Sequence, residues 1–349
     1  MRPLIGLVCG MANTTLSDLT PLLTRLAEVR IGVVGDFALD CYWTLAPDAA
    51  TTSIETGLST QSVAEQHYSP GAAGNVAVNL RALTCGTVRT FGVVGADPWG
   101  RELGRILHTR GADTSGLIEQ PEVWSTQTYI KPILNGDEQG RIDFGDLNRL
   151  SIDSADRLLD LLAQAIPELD VLVINSQAES GIHTERLRRG LTELIASSER
   201  CTFIVDSRDS EGMYPGCALK INDYEAARHC GIATTEESVP RADLLRAAED
   251  LYAERGQPLF ITRGAQGILV YDASGAAELP ALPCTDEIDS VGAGDAALAA
   301  IAAATAAGAL PTEAAIMGNV AAAVSVRKLR QTGSATPDEI VSLHRTAGH

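Results

Sequence analysis

The chain has 349 residues, of which 45% are hydrophobic, and it sets 45 acidic against 27 basic side chains for a net charge of -18. That apolar content suffices for a large core, and the length fits one big α/β domain with an insertion, or two domains. The acidic field repels phosphate polymers and anionic surfaces, which excludes nucleic acid and membrane surfaces as general partners, so any anionic ligand must be held by local groups.

The seven cysteines include no CxxC pair and the six histidines no HExxH or related spacing. They read as reduced thiols of a cytoplasmic protein, and zinc chemistry is excluded. No apolar run approaches the roughly 20 residues of a membrane span. The opening "MRPLIGLVCGMA" imitates a signal peptide but lacks an A-x-A-like site. "LSDLTPLLTRLAEVR" then has helical spacing, so residues 1–30 are expected to form a helical extension packed on the domain that follows.

From Ile31 onward, short β-branched runs alternate with helical segments. "IGVVGD" from Ile31, "VRTFGVVG" from Val88, "VLVIN" from Val171, "TFIVD" from Thr202, "LFITRG" from Leu259 and "GILVYD" from Gly267 read as strands. "GNVAVNLRALT", "WGRELGRILHTRG", "SADRLLDLLAQAI", "TERLRRGLTELIASS" and "RADLLRAAEDLYAERG" carry helical periodicity between them. This alternation predicts a doubly wound, mostly parallel sheet. Two segments, residues 51–70 and 125–146, are rich in Thr, Val, Ile and Tyr without helices, and predict strands of a small extra sheet serving as a lid.

Several stretches carry chemistry. In "DSVGAGDAALAA", a glycine-rich turn precedes a long small-residue helix, which leaves backbone N–H groups at the positive end of the macrodipole. Gly292, Ala293 and Gly294 can donate to an anion there. Asp295 either caps the helix or takes a proton from a group attacking that anion. In "SPGAAGNVAVNL", Gly71 to Gly74 allow close approach of a ligand and Asn75 can bond sugar hydroxyls; the other reading is a loop with Asn75 as a cap. Asp36 and Asp40 in "GDFALD" lie where ligands bind in open α/β sheets, or in a solvated loop. Asn222 and Glu225 in "KINDYEA" share a helix face, suited to magnesium waters and phosphate or to simple capping. "VDSRDS" offers Asp206 and Arg208 at a strand end. "TRGAQG" offers Arg263, Gly264 and Gly267, as phosphate contacts or as a hairpin turn.

In order, "VVGDFALD", "PGAAGN", "VVGADPWG", "KINDYE", "TRGAQG" and "DSVGAGD" resemble the ribokinase-type (PfkB) family of carbohydrate kinases from about Ile31 to the C-terminus. Within it, "GDFALDCYW", "GRIDFGD" and "VRKLRQTGSATPDEI" are similar to the kinase half of bacterial heptose-7-phosphate kinase/ADP-heptose synthases. The resemblance implies a ribokinase-like three-layer sandwich with a small β-sheet lid, pairing as a homodimer through the lid strands. It implies ATP and Mg2+ as cofactors, with K+ in members that hold a monovalent cation. Asp295 is then the catalytic base and Gly292 to Gly294 the anion hole. Asp40, Gly71 and Asn75 contact the sugar, Asn222 and Glu225 organise magnesium and phosphate, Glu225 through water, and Arg263 to Gly267 lie near ATP. Asn319 falls near the adenine, and backbone carbonyls near Asp289 and Gly333 near the cation. A phosphorylated acceptor needs basic partners, for which Lys131, Arg141 and Arg149 are candidates. Two positions depart from the family pattern: Ala72 stands for a glycine and Ser290 for a threonine.

Overall fold

The computed structural model describes residues 18–208, 214–234, 239–284, 287–328 and 333–347. The N-terminal extension is helical over α1 (Thr20–Arg25), and Leu19, Leu22, Leu23 and Leu26 are buried against the domain. Residues 1–17 of that expected segment lie outside the described residues.

Nine strands form the main sheet: β1 (Arg30–Gly35), β4 (Thr87–Gly95), β5 (Asp113–Gln120), β9 (Val171–Ser176), β10 (Thr202–Ser207), β11 (Ala218–Asn222), β12 (Leu259–Thr262), β13 (Ile268–Asp272) and β14 (Gly275–Leu279). Their order is β14-β13-β12-β11-β10-β9-β1-β4-β5. All neighbours run parallel except the antiparallel β12-β13 and β13-β14 pairs. Strands buried on both faces read as continuous apolar runs, and β9 shows it: Val171 and Val173 enter one core while Leu172 and Ile174 enter the other.

The first core lies under α2 (Ala73–Ala82), α3 (Pro98–Thr109), α8 (Ala293–Ala306), α9 (Pro311–Ser325) and α10 (Pro337–Ala347). The second lies under α4 (Ile152–Ala165), α5 (Glu185–Ser197), α6 (Asp223–His229) and α7 (Arg241–Arg255). Helices on both faces make the three layers the alternation predicts. No helix among the described residues is long and apolar enough to cross a membrane.

The small sheet contains β3 (Val63–Ala72), β2 (Phe37–Leu45), β6 (Gln127–Leu134) and β7 (Asp137–Glu138) in that order, with β8 (Ile142–Phe144) beside β6. It corrects the sequence reading in two places. "GDFALD" is not a loop at the end of the first strand, because the chain leaves the main sheet at Gly35 and continues as a nine-residue strand of the small one. Asp36 makes that transition: it is 2% exposed, and its carboxylate accepts from the backbone N–H of Gln177, Ala178 and Ile182 at 2.8 to 3.0 Å. It is a buried tie between β1 and the segment after β9 rather than a solvated acid. Residues 51–62 are not strand either. They close on themselves through Ser53 N–H to Leu58 O and Thr60 N–H to Thr51 O, with Gly57 at φ 70°.

Candidate active site

The two glycine clusters, far apart in sequence, meet over the carboxyl ends of the central strands. Gly292 adopts φ 78°, a left-handed conformation that glycine enters without penalty, and α8 starts at the next residue. Ala293 N–H closes the turn onto Ser290 O at 3.2 Å, so this predicted donor is already used locally. The N–H groups of Gly294 and Asp295 belong to the first helical turn, where the helix itself supplies no acceptor.

Across the gap, β3 runs through Gly71 and Ala72 into α2. Ala72 sits at φ 49°, a region that favours glycine, so the departure from the family pattern falls on a strained position. Asn75, in the first turn of α2, donates through Nδ2 to Asp295 Oδ2 at 2.7 Å. Asp295 is therefore not a simple helix cap.

Charge beneath this pair comes from the main sheet. Lys220 on β11 and Asp206 on β10 are opposed in register and bonded at 2.9 Å, both under 10% exposed. A methyl group at Gly294 would lie 3.2 Å from Lys220 Nζ, which puts the ammonium directly under the glycine turn. Burial works against the Lys220 charge, but Asp206, Asp295 and Glu225 outweigh it and hold the ammonium above its ordinary range. Burial also pushes the Asp295 carboxyl up to about 6; the Asn75 bond, Lys220 and Arg208 pull it down, and Asp206 pushes it further up. A carboxylate in that range is ionised at neutral pH and basic enough to take a proton.

Asn222 and Glu225 form a reciprocal capping box on α6: Glu225 N–H donates to Asn222 Oδ1 at 2.7 Å and Asn222 N–H to Glu225 Oε2 at 3.1 Å. The cap uses one of the carboxylate's four lone-pair sites. Burial, seconded by Asp206, raises the Glu225 carboxyl above its ordinary range. This donor set fits Mg2+, which keeps several waters and takes one or two carboxylates alongside substrate phosphates.

On the small sheet, Asp40 Oδ1 pairs with Lys131 Nζ at 2.8 Å, their side chains 13% and 14% exposed. Lys131 also lies 4.8 Å from the centre of the Tyr42 ring. Burial draws its ammonium toward neutrality, and Asp40 and Tyr42 more than offset this. Gly71 makes room for the pair, since a methyl group there would come within 2.9 Å of Asp40 Oδ2. Arg141 is clamped by Asp143 through two bonds of 2.7 and 2.6 Å and stacks over Tyr129. Arg149 contributes its backbone, accepting from Gln120 and donating to Val123 O.

Other expected residues are engaged elsewhere. The Arg263 side chain is 8% exposed and bonded to Glu278 at 2.9 Å, with Gln266 as a second partner. The turn at Gly264 (φ 51°) and Gly267 (φ 90°) is the hairpin joining antiparallel β12 and β13. Asn319 donates to Pro280 O at 2.7 Å and so fixes the segment after β14. Arg208 N–H donates to Ser176 O at 3.1 Å, and its side chain is exposed. Asp289 N–H donates to Val326 O at 2.8 Å while Ser325 Oγ donates to Gly333 O at 3.0 Å, so the end of α9 joins the two segments expected to flank a cation.

Sequence reasoning missed Lys220. Its signal is a charge inside the apolar run "ALKIN", but the pairing with Asp206 depends on strand adjacency. A cavity of about 340 Å3 lined by Ile195, Cys201, Pro215 and Gln257 lies at the opposite, amino ends of the strands, away from these groups.

The family model of the pfkB family carbohydrate kinases matches residues 39–338. The bifunctional protein HldE of Geotalea uraniireducens is 29% identical over 331 residues, covering 93% of this chain and 65% of that protein. The chain thus spans slightly less than two thirds of that curated relative. Phosphofructokinase-2 of Escherichia coli, solved in complex with potassium, superposes with a TM-score of 0.73 at 18% identity, covering 92% of this chain and all of that one. Ribokinase of Arabidopsis thaliana, solved with ribose and ATP, gives 0.67 at 17% identity over 91% and 99%. Family match and ribokinase-like fold agree with the paired glycine motifs: this chain belongs to the pfkB family of carbohydrate kinases.

Proposed function

We propose that the chain transfers the γ-phosphoryl group of ATP to a hydroxyl of a sugar or sugar phosphate, with Asp295 as general base. The observation that carries this is the 2.7 Å bond joining Asn75 of the early glycine cluster to Asp295 of the late one. A sugar resting on Gly71, Asn75 and Asp40 presents its hydroxyl to Asp295. The hydroxyl oxygen forms the new bond to phosphorus, the bridging bond to the β-phosphate breaks, and the proton passes to the Asp295 carboxylate. The first-turn N–H groups of α8 and the Lys220 ammonium beneath them stabilise charge on the transferring group, which is where most catalysis of phosphoryl transfer resides. Mg2+, held through water by Glu225 beside Asn222, supplies further neutralisation of the phosphates when bound. Asp289 and the Gly333 segment would border a K+ ion.

Likeness to the HldE proteins makes heptose 7-phosphate the first acceptor to test. The paired state of Lys131 and Arg141 favours a second reading, an acceptor without a phosphate group such as fructose, a keto-sugar acid or a nucleoside, because neither cation brings net charge to balance a phosphate dianion on the acceptor side. ADP release with Mg-ATP, with and without potassium, against heptose 7-phosphate, fructose, fructose 6-phosphate, ribose, 2-keto-3-deoxygluconate and adenosine decides between them. Turnover of one compound is expected; ATP binding without turnover of any would favour a sugar- or nucleotide-binding regulator instead.

We further assign the lid as the contact between two copies of the chain, in the cytoplasm. Ile54, Leu58, Val63, Ile142 and Phe144, all on lid segments, are exposed apolar side chains. Light scattering at micromolar concentration is expected to give twice the chain mass, and a monomer there removes the assignment.

A further inference from the structure

We infer that Asn79 is a positioning residue for the base: it fixes the polarity of the Asn75 amide so that its nitrogen, not its oxygen, faces Asp295. The inference rests on the reading of Asp295 as the base.

The argument starts from a group whose polarity is not in question. The backbone carbonyl of Asn75 can only accept, and the Asn79 side chain, one helical turn later on α2, meets it at 3.0 Å. The contacting atom of Asn79 is therefore its Nδ2. That same nitrogen meets the Asn75 side chain at 3.0 Å, and since its second proton points there, the facing atom of Asn75 is its Oδ1. The other end of the Asn75 amide, Nδ2, is then left to donate to Asp295 Oδ2 at 2.7 Å. Both protons of one buried amide are spent on setting the direction of another; Asn79 is 2% exposed and Asn75 3%. An amide can turn over at little cost unless its neighbours discriminate its two ends, and here the discriminator is a backbone oxygen.

The consequence falls on proton affinity. With the polarity fixed, Asn75 offers Asp295 a donor that suits only the ionised carboxylate. With it unfixed, Asn75 can turn its oxygen toward a protonated Asp295 and accept from it, which favours the form that cannot act as a base. The other charges facing Asp295 are Asp206 on β10, Arg208 just past the end of β10 and Lys220 on β11.

The test is the pH dependence of kcat for Asn79→Leu, with Asn79→Ala beside it and Asp295→Asn as the control. Loss of the discriminator is worth about one hydrogen bond, roughly 1 kcal/mol, so the acidic limb of kcat is expected to move up by about 0.5 to 1 pH unit. The plateau above pH 8 is expected to stay within about threefold of the wild type, since the ionised carboxylate selects the correct amide end by itself. A merely structural role would lower kcat evenly at every pH and leave the limb in place, which overturns the inference while Asp295→Asn remains inactive and the base reading stands. Substantial turnover by folded Asp295→Asn would remove the base reading and the inference with it. Should neither Asn79 variant fold, neutron diffraction on the wild-type protein reads the amide deuterons directly: two on Asn79 Nδ2 facing Asn75 and one on Asn75 Nδ2 facing Asp295 uphold the inference, and the inverted arrangement overturns it.

Discussion

Asp295→Asn is expected to lower kcat at least about a hundredfold, the lower end of what a general base contributes, and at the same time to make the protein harder to unfold. Two effects of one environment produce this pair of results. Burial holds the carboxyl at about 6 against an ordinary 3.8, so the folded state disfavours the charged form. A carboxyl raised by folding costs stability in full above pH 6, and the cost fades between 6 and 3.8 as the group takes up its proton in the folded state. The neutral amide escapes that cost. Since Asp295 is partly open to solvent, the gain is set at about 1 to 2 kcal/mol near pH 8, below what the full shift would give. Urea denaturation should therefore show a higher midpoint for the variant at pH 8 and a vanishing difference near pH 4. In the wild type, kcat should fall tenfold per pH unit below about pH 6. Near-normal turnover in the folded variant would sink the base assignment; a lower midpoint at pH 8 would mean that the Asp295 charge stabilises the fold.

Much of this was legible in the sequence, for a physical reason. Glycine turns before helices and apolar runs between them are local features, and local features set the strands β1, β4, β9, β10, β12 and β13 and the start of α8. The pair Asn75 and Asp295 could be named from their motifs even though 220 positions separate them. What stayed hidden was decided by neighbours distant in sequence. Lys220 acquires its place from the parallel register of β10 and β11, and Arg263 meets Glu278, which antiparallel β14 brings alongside. β2 does not read as a strand of its own because its first residues continue the apolar run of β1, and nothing local announces that Asp36 turns the chain into another sheet. β5, "DTSGLIEQ", is an edge strand of the main sheet and is too polar to stand out. The pairing of Arg141 with Asp143 was within reach of the sequence: they stand two apart at the start of β8, a spacing that brings opposite charges together.

Lys220→Met is expected to cost stability and turnover together, and a second substitution separates the two. The ammonium is the compensating charge for buried Asp206 and it also pulls down the Asp295 carboxyl. Removing it leaves a buried carboxylate unpaired, which costs about 3 to 5 kcal/mol. Replacing both members, Lys220→Met with Asp206→Leu, substitutes apolar contact for the ion pair and is expected to recover most of that loss, because a buried pair returns little beyond its own desolvation. Turnover should not recover. If the ammonium under Gly294 stabilises the transferring phosphoryl group, both variants stay at least about a hundredfold below the wild type in kcat, the scale of one preorganised electrostatic contact. The acidic limb of any residual activity should lie above pH 6 in Lys220→Met, where Asp206 still repels the Asp295 charge, and return downward in the double variant. Urea midpoints and ADP release on the same preparations give both readings. Recovery of stability and turnover together would reduce Lys220 to a counter-ion for Asp206, whereas recovery of stability alone separates the residue's place in the fold from its place in the chemistry.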